Sequence, residues 1–186
     1  MYSNVEIESA LSSGNLIIEN YIEECLRPSS YLLRINNTIF EEKKDNGIII
    51  DTKSTNTQSL FNEIVIDNKG YMLKPNTLYL FSSVERVSLT NELAGILNLL
   101  SSLARIGLCA NFSSNLVAAT FGCDKPSSIT FEVANLSSAS IIIYPYVKFC
   151  HISFFEHKVA SSLIYNGIYS GHDLPKPADF SKKPSK

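Results

Sequence analysis

From residue 27 to residue 155 the sequence is cut into short runs of β-branched and aromatic residues by turn formers. This rhythm constrains the fold more than any other feature. The expected strands are 16–18, 27–35 (entered through Pro28), 38–40, 47–50, 63–66, 71–73, 77–81, 85–89, 111–119, 128–134, 140–144 and 148–155. Turns at 45–47, 67–70, 74–76 and 122–126, rich in Asp, Asn, Gly and Pro, separate several of them. The polar stretch 51–62 reads as an exposed loop. So many short strands with little helix predict a mainly β chain, an all-β barrel or double-sheet roll with one or two short helices. One helix is expected at the start, where Ser3 and Glu6 form a capping-box pattern. Val5, Ala10 and Leu11 supply an apolar stripe that stops before Gly14.

The second helix is predicted in Leu99 to Gly107, which places Ser101, Ser102 and Arg105 in otherwise apolar sequence. Ser101 reads as the N-cap, Leu103 and Ile106 as the apolar face, and Gly107 as a left-handed terminator. Free N–H groups at such a helix start, two hydroxyls and an arginine one turn on would favour an anion. The same pattern also occurs in plain surface helices, so the stretch needs its context. In the strand 128–134, alternation puts Ile129, Phe131 and Val133 on one face and Ser128, Thr130, Glu132 and Ala134 on the other. Glu132 is a lone carboxylate among small residues, either at a wet edge or held in a pocket.

With 186 residues, 45% hydrophobic and 18% charged, the chain is expected to form a single β domain over 1–175. A flexible tail rich in Lys, Pro and Ser is expected over 176–186. A net charge of −2 gives no general attraction to a nucleic acid polymer or an anionic membrane, so a small partner is favoured. No apolar run reaches the roughly 18 residues of a membrane span. The four cysteines, Cys25, Cys109, Cys123 and Cys150, form no C-x-x-C pair, and no signal peptide is read at the start. The expectation is a reducing cytoplasm, buried thiols, and neither a disulfide framework nor a zinc site. His151, His157 and His172 are scattered and read as core or surface residues.

Taken together, Pro28-Ser29-Ser30-Tyr31-Leu32-Leu33-Arg34-Ile35, then Leu73 to Asn76 with Leu80 and Glu85-Arg86-Val87, then Ser101-Ser102-Leu103-Ala104-Arg105-Ile106-Gly107-Leu108, then Thr130-Phe131-Glu132-Val133-Ala134-Asn135, stand in a recognisable order. The chain resembles the dCTP deaminase and dUTPase family, in its dCTP deaminase branch, from about residue 5 to about residue 175. The resemblance implies a distorted jelly-roll-like β-barrel that assembles as a homotrimer with sites shared between subunits. It implies zinc-free hydrolysis of dCTP to dUTP and ammonia, with Mg2+ carried by the triphosphate, and in some relatives continuation to dUMP. Carried over by position, Glu132 would activate water and protonate the departing amine. Ser101 and Arg105 would orient that water, and Ser102 would hold phosphate. Asn111, Ser114, Tyr169 and His172 would contact the substrate.

Several positions depart from the family pattern. Leu100 stands for a phosphate-binding arginine, Leu32 for a strand aspartate, Ala118-Ala119-Thr120-Phe121 for an Asp-Pro-Gly-Phe turn, and Ser114 for an alanine near the base. Ile168-Tyr169-Ser170-Gly171-His172 lacks the lysine and glutamine of the family tail. Lys125 and Lys148 are candidate compensating cations. Two readings follow: a divergent dCTP deaminase-like hydrolase, or a catalytically inactive trimer that binds a different nucleotide or serves a structural or regulatory role.

Overall fold

The computed structural model describes residues 1–44, 47–169 and 171–182. Its elements run α1 (Asn4–Ser13), β1 (Leu16–Glu19), β2 (Leu26–Arg27), β3 (Ser30–Arg34), β4 (Thr38–Glu42), β5 (Phe61–Val65), β6 (Tyr71–Leu73), β7 (Leu78–Leu89) and β8 (Leu93–Leu99). They continue with α2 (Ser101–Arg105), β9 (Leu108–Ala110), β10 (Leu116–Val117), β11 (Ser127–Asn135), β12 (Ile141–Ile143) and β13 (Lys148–Glu156).

The larger sheet has the order β5-β4-β7-β11-β9, with β1 also beside β7. The smaller sheet has the order β10-β8-β13-β3-β2, and β6 and β12 form a separate ribbon. Period-2 alternation sends Phe81 of β7 and Phe131 of β11 toward the smaller sheet. There they meet Phe149 of β13 with ring centroids 5.5 Å away in each case. All three rings are fully buried. The fold is therefore mainly β and jelly-roll-like, as expected.

The capping box at Ser3 and Glu6 forms, and Gly14 ends α1 in the left-handed conformation at φ 79°. Ile7 and Ala10 carry its buried face, while Val5 is exposed. Strands 77–81 and 85–89 are one strand, β7, whose register against β11 shifts between Ser128 and Thr130. At that irregularity Ser83 Oγ accepts a hydrogen bond from Ile129 N (2.8 Å) and donates one to Glu85 O (2.6 Å). The break in the apolar pattern thus marks a bulge and not a strand end.

Three expected features differ. Residues 48–50 form no strand, and their isoleucines are exposed, because no strand in either sheet pairs with them; Asp45 and Asn46 of the expected turn lie outside the described residues. Residues 111–119 are not one strand, since Asn111, Phe112 and Ser113 adopt left-handed φ values (63°, 39°, 73°) that end β9 before β10 begins. Strand β8 escaped the sequence reading because Ala94, Gly95 and Asn98 dilute its β signal, yet it pairs with β13 along its whole length. The thiols also divide: Cys25 and Cys150 are buried, Cys109 is half-buried and Cys123 is exposed, all unbridged. No helix of the described residues is long and apolar enough to cross a membrane.

Candidate active site

The alternation that buries Phe81 and Phe131 turns Leu80, Thr130 and Glu132 to the opposite face of the larger sheet. Glu132 lies directly across from Leu80, which in turn pairs with Phe40. An antiparallel sheet can leave such a face in water. Here residues 165–169, 171–180 and 50–61 cover part of it and enclose a cavity of about 590 Å³. Backbone hydrogen bonds hold the cover down: Ser128 N donates to His172 O (3.0 Å) and Thr57 N to Ala178 O (2.9 Å). Thr57 Oγ1 adds a second bond to Ala178 O (2.8 Å), and Lys176 N donates to Thr130 Oγ1 (3.3 Å). Pro175 and Pro177, both buried, fix the backbone on either side of Lys176.

Glu132 is half-buried in the cavity wall, among Leu78, Leu80, Leu97 and Ile129. Burial pushes its carboxyl above the usual glutamate range, opposed by a hydrogen bond from its own backbone N–H. No Lys, Arg or His of the described residues comes within ion-pair distance of it. Of the two sequence alternatives, a wet edge or a pocket, the pocket is the one found. An acid so placed is suited to taking a proton from water and returning it.

Ser114 and Tyr169 also line the cavity, as does Ala118. His172 lies beside it, its Nε2 facing Lys176 Nζ. Asn111 is buried next to Cys150, toward whose Sγ its Nδ2 points (3.9 Å), while its Oδ1 has no partner among the described residues. Burial pushes the Cys150 thiol up to about 12, so it is an inert packing group. Ser101, Ser102 and Arg105 are exposed on α2 and form no part of this wall. The cap of α2 is Leu100, which makes no side-chain bond, and Ser101 is its first helical residue. Leu100 contributes instead by packing against the core. Gly107 does take φ +90°, and a Cβ there would meet Ser137 Cβ at 2.7 Å, so the turn after α2 requires glycine.

The remaining candidates settle into structural roles. Leu32 is core. His151 accepts or donates at Ser30 Oγ through Nδ1 (2.8 Å), and burial holds its pKa below the usual value. Lys148 Nζ donates to Glu24 O (3.1 Å) and Lys125 is exposed, so neither reaches the cavity. Lys176, which sequence reasoning passed over, is the cavity's cation. Its signal was the Pro-Lys-Pro triplet, a rigid unit in a segment whose composition otherwise resembles a linker. Two motif residues meet as well: Arg34 Nε donates to Glu85 Oε1 (2.6 Å) and Arg34 N to Oε2 (2.8 Å), making a buried ion pair. Among the described residues no three His, Cys, Asp or Glu side chains form a metal-sized cluster.

Residues 1–157 match a family model described as dCTP deaminase-like. The chain belongs to the dCTP deaminase-like family. This family member is 29% identical over 157 residues to the dUMP-forming dCTP deaminase of Dictyoglomus thermophilum, covering 83% of this chain and 79% of the relative. It is 30% identical over 177 residues to the dUMP-forming dCTP deaminase of Coprothermobacter proteolyticus (91% and 90% covered). Against the Corynebacterium glutamicum protein of the same description it is 26% identical over 183 residues (96% and 95%). The crystal structure of 2'-deoxycytidine 5'-triphosphate deaminase from Agrobacterium tumefaciens superposes with a TM-score of 0.62 at 15% identity. That match covers 82% of this chain and 47% of the other, so the chain spans about half of that protein, and the likeness is one of fold.

Proposed function

We propose that this family member is a nucleotide hydrolase that removes the exocyclic amine of cytosine in dCTP, giving dUTP and ammonia. The observation that carries the reading is Glu132, an unpaired carboxyl with a raised pKa in a cavity of ligand size. In the proposed step Glu132 takes a proton from water as the oxygen adds to C4 of the base. It then returns that proton to the amine, which leaves as ammonia. The apolar wall around it raises the acid above the ordinary glutamate value, which makes it a better proton donor to the amine than an exposed carboxylate would be.

Ser101, Ser102 and Arg105 enter this reading through a neighbouring subunit. In a homotrimer with shared sites, α2 of one chain would meet the cavity of the next, with Arg105 supplying a charge that does not titrate. Their exposure supports that role. Mg2+ would arrive with the triphosphate, and no residue of this chain is assigned to it. No zinc enters the scheme: its hard chemistry is general acid–base transfer by Glu132. The relatives' dUMP-forming names add a second activity to test, hydrolysis onward to dUMP and pyrophosphate.

Leu100 and Leu32 favour a second reading. Both are apolar and packed where the family carries charge, which is what a trimer that has lost its chemistry but kept its fold would show. The experiment is an assay of purified protein with Mg2+ and dCTP that reads ammonia and pyrophosphate separately. Ammonia release is expected. No turnover at millimolar dCTP by a folded protein selects the inactive reading, and turnover of another nucleotide in the same screen redefines the substrate.

A further inference from the structure

Strand alternation puts Thr130 on the same face of β11 as Glu132, two residues or roughly 6.7 Å away along the strand, and both line the cavity. The Thr130 hydroxyl is only half used. Its oxygen accepts a hydrogen bond from Lys176 N (3.3 Å), and its proton has no acceptor among the described residues. Ser82, directly across on β7, does not take it, because the Ser82 hydroxyl is itself buried without a partner among the described residues. The Thr57 hydroxyl, on the opposite side of the cavity, does spend its proton, on Ala178 O (2.8 Å). Around Glu132 the wall is otherwise apolar, with Leu78, Leu80 and Leu97, and Ser128 stands two residues farther along β11. Thr130 is therefore the hydrogen-bond donor that β11 offers beside its acid.

We propose that Thr130 is a specificity-determining residue of this site, its hydroxyl donating a hydrogen bond to ring atom N3 of a cytosine whose C4 faces Glu132. The proposal rests on the deaminase reading given above. In that ring C4 has two neighbours, the acceptor N3 and C5, which carries an apolar C–H. A base edge lying along β11 with C4 at Glu132 turns one of them toward Thr130. N3 is the one that takes the free proton; the reverse orientation leaves both N3 and the hydroxyl unpaired beside an apolar wall. The bond strengthens during the reaction. As the water oxygen adds to C4, the second electron pair of the C4–N3 bond moves onto N3, where the hydroxyl faces it, and it returns when the amine leaves. In the uracil product N3 carries a hydrogen. That hydrogen meets the hydroxyl proton, and turning the hydroxyl away leaves it without an acceptor, so the site holds substrate better than product.

The test is calorimetric titration of E132Q, in which bound dCTP is not hydrolysed, with dCTP and with its 3-deaza analogue, where C–H replaces N3. E132Q is expected to bind dCTP about tenfold tighter than the analogue, the loss of one hydrogen bond together with the stranding of its donor. T130V/E132Q is expected to bind the two within about twofold of each other, and T130S/E132Q to keep the preference. A merely structural role for Thr130 would weaken both ligands alike and leave their ratio unchanged. A folded T130V/E132Q that still prefers dCTP about tenfold overturns the proposal, as does an E132Q that binds both ligands equally. If T130V/E132Q does not fold, T130A/E132Q takes its place with the same two outcomes. An E132Q that binds neither ligand overturns the nucleotide reading of the cavity and this proposal with it, whereas tight dCTP binding that ignores Thr130 overturns this proposal alone.

Discussion

Glu85 and Glu132 sit on β7 and β11, adjacent strands of one sheet, and burial raises the pKa of both. Their surroundings are opposite. Glu85 is fully buried and both its oxygens are taken by Arg34, which ties β3 to β7 across the two sheets. Glu132 has a cavity in front of it and no cation within ion-pair distance among the described residues. The pair shows how one sheet supports two uses of the same residue. A buried acid that is neutralised and hydrogen-bonded fixes the fold, and one left unpaired beside a ligand-sized space is available for proton transfer.

The largest effect is expected from breaking the paired acid. R34M strands Glu85 in the core and should cost about 3–5 kcal/mol, read as a drop in Tm of roughly 10 °C. A loss below about 1 kcal/mol would mean that the ion pair carries little of the sheet contact. Next comes supplying a cation where the site lacks one. L100R should tighten triphosphate binding by about 1.5–3 kcal/mol, roughly ten- to hundredfold by calorimetry, if α2 meets a neighbour's cavity. Equal or weaker affinity would mean the phosphate region is remodelled around Leu100.

The smallest effect separates the acids by pH. Glu132 has a raised native pKa, so the native state binds the extra proton. Stability is therefore lost as pH rises from the ordinary glutamate value of 4.5 through the native one. E132Q should accordingly melt higher than wild type at pH 7, with the difference fading below pH 4.5. E85Q should melt lower at pH 7, because Arg34 then lacks its counter-charge. A lower Tm for E132Q at pH 7 would show that Glu132 has a partner after all.

Much of this contrast was visible in the sequence. The alternation at 128–134 separates Glu132 from Phe131, and the order of the motifs points to the family. Burial was not legible, because the cover over Glu132 comes from residues 165–169 and 171–180, distant in sequence and linker-like in composition. The Pro-Lys-Pro triplet was the available signal there, and it was outweighed by the surrounding Gly, Ser and Lys. The cap of α2 was misplaced by one residue because serine is the stronger capper, whereas Leu100 takes the position through its packing against the core. The Arg34–Glu85 pair joins two motifs 51 residues apart, a link that no local pattern carries.

The direct test of Glu132 as the proton-transferring acid is steady-state ammonia release from dCTP by wild type and E132Q, with both shown to be equally folded. Loss of general acid–base transfer predicts a fall in kcat of about 10²–10⁴-fold with the thermal stability kept or raised. An E132Q variant that turns over dCTP at the wild-type rate would contradict the account.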